Sequence, residues 1–83
     1  MERELAVNIV KEIFDTCPHI IGRSVKIMPP DSDNVLADGC QIHVNGNHDE
    51  FIYNCLKMIA EKNDLSIRRE NSLIVIYKPR VKC

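Results

Sequence analysis

Apolar residues recur at helical spacing over residues 2–16: Ala6, Ile9, Val10 and Ile13 make a stripe that Leu5, Val7 and Phe14 widen, and Pro18 forces an end. A second stripe, Phe51, Ile52, Cys55, Leu56 and Ile59, predicts another helix. Its start is marked by Asn47 as a cap, with Glu50 three residues on as in a capping box. Asp49 and Glu50 place negative charge in the first turn, where the helix dipole favours it. Asn63 and Asp64 close it, because asparagine tolerates the left-handed conformation that ends helices.

Four runs read as strands. Residues 24–28 are stopped by Pro29 and Pro30, and residues 39–45 alternate, with Cys40, Ile42 and Val44 on one side and Gln41, His43 and Asn45 on the other. Residues 65–69 and 72–78 form a predicted hairpin around Glu70 and Asn71. The last run is apolar on both sides, Leu73 and Val75 against Ile74 and Ile76, which suits a central strand.

The order is therefore α-β-β-α-β-β, and its halves echo each other: residues 4–28 and 50–76 form an expected internal repeat. In it Glu4, Asn8, Lys11 and Ile13 match Glu50, Asn54, Lys57 and Ile59. This order is a circular permutation of the β-α-β-β-α-β unit. It predicts an α+β two-layer sandwich, a permuted ferredoxin-like packing with a four-stranded antiparallel sheet and both helices on one face. The last strand is expected between the second and third, with the first at an edge. The permutation is an analogy of element order; no residue motif ties the chain to a named family.

The 83 residues make one domain, and a chain of this length buries only ~60–65% of the surface its unfolded form exposes. The longest apolar run, residues 73–77, is far too short to span a bilayer, and the N-terminus enters a charged helix directly (Glu2, Arg3, Glu4). A cytoplasmic protein with no membrane association is expected. Four cysteines in a reducing compartment, beside a sufficient apolar core, are expected as free thiols. Eleven basic against twelve acidic residues exclude a surface built wholly for nucleic acid. Base nevertheless gathers at the C-terminal end (Arg68, Arg69, Lys78, Arg80, Lys82), with residues 78–83 as a basic tail, and acid in the loop at 29–38 (Asp31, Asp33, Asp38).

Strand alternation assigns the sheet face away from the helices a row of outward side chains: Ser24, Lys26 and Met28; Gln41, His43 and Asn45; Ser66, Arg68 and Glu70. The last strand adds two large aliphatics, either Leu73 and Val75 or Ile74 and Ile76. Such a stripe on an open sheet marks an interface. The expected function is a small interaction module, self-associating or binding a protein partner, with contacts at Lys26, Gln41, His43, Arg68, Ile74 and Ile76. The alternative is an RNA- or DNA-binding module using Arg68, Arg69, Tyr77, Lys78, Arg80 and Lys82. Bases would need aromatic platforms on the sheet, and of the four aromatic residues Tyr77 alone belongs to a strand.

Other chemistry finds little support. Cys17 and His19 are two apart, and Cys40 and His43 three apart on a strand, which sends that pair to opposite faces; no metal or cofactor is expected. The run at residues 30–34 opens like a calcium loop, but Val35 stands where another oxygen ligand is needed, Ala37 follows it, and no glutamate closes the run. Gly22, Gly39 and Gly46 are isolated, so no phosphate-cradling loop or nucleophile elbow exists, and enzymatic activity is not expected.

Overall fold

A computed structural model describes residues 1–17, 20, 24–30, 37–45, 50–70 and 73–79. The elements are α1 (Arg3–Thr16), β1 (Val25–Met28), β2 (Ala37–Asn45), α2 (Glu50–Lys62), β3 (Ser66–Glu70) and β4 (Leu73–Pro79). The expected cap at Asn47, the turn at Asn71, the loop residues Asp31 to Val35, His19, and the tail residues Arg80 and Lys82 lie outside the described residues.

The strands form one antiparallel sheet in the order β1-β2-β4-β3, so the doubly apolar β4 is central, as its sequence requires. Both helices pack on one face of it. The layer between is built from Ala6, Ile9 and Ile13 of α1, Ile52, Leu56, Ile59 and Ala60 of α2, and Ile42, Val44, Ile74 and Ile76 of the sheet, all buried in one cluster. Each of these isoleucines and leucines contributes something like 1.5–3 kcal/mol by leaving water, the main term holding so short a chain together. Phe14 and Phe51, read from the sequence as part of the helix stripes, are instead exposed, at 48% and 76%. Ile52, Leu56, Ile59 and Ala60 already fill the face of α2 that meets the sheet, and Phe51 stands a helical step of about 100° away from it.

The helices run antiparallel, since Lys62 meets Glu12 at 3.4 Å while Cys55 meets Cys17. That second contact corrects the expectation of free thiols: Cys17 and Cys55 form a disulfide, with Cα atoms 6.2 Å apart. Antiparallel packing brings the residue that ends α1 against the middle of α2. Cys40 remains a free, buried thiol, in the helix-facing core.

Left-handed residues mark the end of α2 and the bulge in β2. Asp64 takes φ 58° after α2, where the Leu65 N–H donates to the Ala60 carbonyl at 2.8 Å and the Asn63 side-chain amide donates to the Ile59 carbonyl at 2.8 Å. In β2 the register with β4 slips between Ala37 and Gln41, and Gly39 adopts φ 73° within that bulge. Met1 lies against the bulge: the Cys40 N–H donates to the Met1 carbonyl at 2.7 Å, and the Met1 nitrogen donates to the Asp38 carbonyl.

Candidate functional site

Strand register arranges the helix-free face as three rows. Lys26, His43, Val75 and Arg68 lie opposite one another across β1, β2, β4 and β3, and Met28, Gln41, Tyr77 and Ser66 form the next row toward one end. Toward the other end lie Asn45, Leu73 and Glu70, with Ser24 joined through its carbonyl to the Asn45 N–H at 2.9 Å. Lys26 and Arg68 thus occupy the two edges of the central row.

The structure brings together four of the six residues expected as contacts, Lys26, Gln41, His43 and Arg68. It corrects the other two. Ile74 and Ile76 pair with Val44 and Ile42, face the helices and are wholly buried, so the outward members of β4 are Leu73, Val75 and Tyr77. Nor is the outward stripe bare. Val75 has no exposed surface at all and Gln41 only 6%, although both lie on the side away from the helices. The in-register neighbours of Val75 are the long side chains of His43 and Arg68, with Leu73 and Tyr77 along the strand, and a valine ringed by such groups is shielded by their stems.

Arg68 stands at the β3 edge of the central row. Its guanidinium carbon stands 5.4 Å from the Tyr77 ring centroid and its Nη2 lies 3.0 Å from a Glu70 carboxylate oxygen, while its Nε is buried without an acceptor. His43 Nε2 lies 3.5 Å from Gln41 Oε1. Burial holds the His43 imidazole below its ordinary pKa; the nearby Glu70 carboxylate opposes this and the Arg68 guanidinium adds to it.

The described members of the alternative nucleic-acid set, Arg68, Arg69, Tyr77 and Lys78, do not share one face of the sheet. Arg69 follows Arg68 along β3 and so points to the opposite face, where it stacks on Tyr53 of α2 with its guanidinium carbon 3.7 Å from the ring centroid and pairs with Glu50 at 2.8 Å. Lys78 likewise alternates away from Tyr77. Sequence reasoning missed the Arg69–Tyr53–Glu50 cluster, for its three members come from different elements and nothing local signals their meeting.

Among the described residues, two cavities adjoin the sheet. The larger, about 710 Å³, lies between Met1 to Arg3, Pro29 and Pro30, and the bulge at Gly39 and Cys40. Among the described residues its lining mixes the bases Arg3 and Lys78 with the acids Glu2 and Asp38. The smaller, about 250 Å³, opens on the helix-free face and is lined by Ser24, Lys26, Met28, His43, Asn45 and Leu73. Among the described residues no three His, Cys, Asp or Glu side chains converge as metal ligands, and no helix is long and apolar enough to cross a membrane.

Comparison with protein-family models, with curated proteins and with solved structures finds no match for this chain. The site is therefore read from its own geometry.

Proposed function

We propose that this chain is a small interaction module that binds a protein partner, or a second copy of itself, through the helix-free face of its sheet. The observation that carries this reading is the central row, in which register sets Lys26, His43 and Arg68 in one line, with Val75 between the last two, on the face away from the described helices. Recognition there is polar at the surface and apolar beneath, because Val75 is already sealed and Leu73 is half-buried. Nucleic-acid binding has less support: Tyr77 is occupied by Arg68, Glu70 offsets the Arg68 charge, and Arg69 is engaged on the other face. The cytoplasmic placement expected from the sequence carries one condition. The Cys17–Cys55 bridge persists only where thiols oxidise, so in a reducing compartment the helices are held by core packing and the Glu12–Lys62 pair alone.

Site-specific photo-crosslinking tests this reading. A photoreactive residue placed at Ser66 or Lys26, on the face, should yield a discrete adduct in cells of the source organism, whereas one at the exposed Lys57 of α2 should not. Adducts from Lys57 alone, or from no position, would overturn it.

A further inference from the structure

Resting on that reading, we propose that the small cavity bounded by Ser24, Lys26, Met28, His43, Asn45 and Leu73 receives a carboxylate side chain, so that the partner docking on this face presents an acidic segment. The cavity holds about 250 Å³, room for a side chain rather than for a folded element. Among the described residues its polar lining consists of an ammonium, an imidazole, a hydroxyl and a carboxamide, every one able to donate a hydrogen bond to a carboxylate, with no acid between them. Met28 and Leu73 supply apolar wall for the methylene groups that carry an aspartate or glutamate carboxylate.

Charge complementarity selects this occupant. Lys26 is exposed and makes no ion pair among the described residues. Across the three in-register rows the one acid is Glu70, and it is already paired with Arg68 at 3.0 Å. Among the described residues Lys26 is thus the cation of the face that no acid compensates, at the edge of a cavity whose other described polar groups are neutral donors. A phosphate chain is a poorer fit, since it needs several cations in line and here Glu70 stands beside the second one. A charge-assisted hydrogen bond to Lys26, helped by His43 and Asn45, needs only one carboxylate.

The test uses the full chain, isotopically labelled, and three probes: an N-acetylated hexaglutamate peptide, a hexalysine peptide and a short oligothymidylate. Hexaglutamate is expected to move the resonances of Lys26, His43 and Asn45. Its affinity should fall about tenfold or more in Lys26→Gln and in Lys26→Glu, as the loss of one charge-assisted contact implies, and should be unchanged in Lys57→Glu. Lys26 is exposed on an edge strand, so both variants should keep the wild-type unfolding curve. Equal weakening in Lys57→Glu would show a diffuse charge effect and overturn the proposal, as would stronger movement of the same resonances by oligothymidylate. Movement of these resonances with protein concentration alone, accompanied by a doubled mass, would assign the face to a second copy and overturn it too. If the face gives a discrete crosslink while hexaglutamate moves nothing, the carboxylate site is wrong and the interaction module stands. If both experiments fail, both readings fall.

Discussion

Cys17 and Cys55, 38 residues apart in sequence, join the end of α1 to the middle of α2 through a disulfide whose Cα atoms stand 6.2 Å apart. A cross-link of that span restricts the unfolded chain, and chain-entropy reasoning gives it a worth of up to ~4 kcal/mol, a large share of the stability of so short a protein. Alkylation in denaturant without reductant, followed by peptide mapping, should leave Cys17 and Cys55 in one linked peptide and label Cys40. The double variant Cys17→Ser, Cys55→Ser should remain folded but unfold at a clearly lower denaturant concentration. Labelling of Cys17 and Cys55 in the untreated protein would show that the bridge does not form.

The buried position of Val75 makes a second prediction. Leu73 and Val75 belong to the same outward side of β4, yet one is half-buried and the other has no exposed surface. Val75→Lys would drive an unpaired charge beneath His43 and Arg68 and should destabilise by more than about 3 kcal/mol. Leu73→Lys should change stability by less than about 1 kcal/mol, because the new ammonium can reach water. Denaturant titration of the two variants separates these outcomes, and equal loss in both would mean that β4 is not set in this register.

Gly39 answers to both backbone and space. Its φ of 73° suits glycine, and a β-carbon there would run into the Met1 carbonyl, which accepts the Cys40 N–H at 2.7 Å. Gly39→Ala should therefore destabilise by about 1–3 kcal/mol and loosen the segment that covers the β2 bulge. The accompanying sign is faster reaction of Cys40 with a thiol reagent under native conditions, measured against the wild type.

The element order, the central place of β4 and the single helix layer are all legible in the sequence, because periodicity reports burial on one side or two and Leu73 to Ile76 are apolar on both. Three features are not legible, each for a physical reason. Alternation in β4 is equally apolar in both phases, so only pairing with Val44 and Ile42 decides that Ile74 and Ile76 turn inward. The Cys17–Cys55 bridge depends on the relative direction of two helices, which local spacing leaves open. The shielding of Val75 arises from Arg68 and His43 lying across it, a relation between three strands. Within the candidate site, Lys26, His43 and Arg68 are correctly placed by alternation alone, while the cavity beside Lys26 comes from a register that brings Ser24, Asn45 and Leu73 into line.

His43 gives the fold a pH dependence of definite sign. Burial on the sheet face holds its folded pKa below the ordinary value of about 6.5, with Arg68 acting in the same direction and Glu70 against it. The unfolded chain therefore takes up a proton at a higher pH than the folded one. This contribution to stability is present in full above about pH 6.5 and is lost as the pH falls through the folded value. His43→Gln, which keeps an amide able to face Gln41 but does not titrate, should remove that part of the slope while leaving stability above pH 7 within about 1 kcal/mol of the wild type. The check is a set of urea midpoints from pH 5 to 8 for both proteins, with the His43 titration followed by its ring resonances. If the variant keeps the full wild-type slope, or the ring titrates above its ordinary value, then burial does not set the protonation of His43.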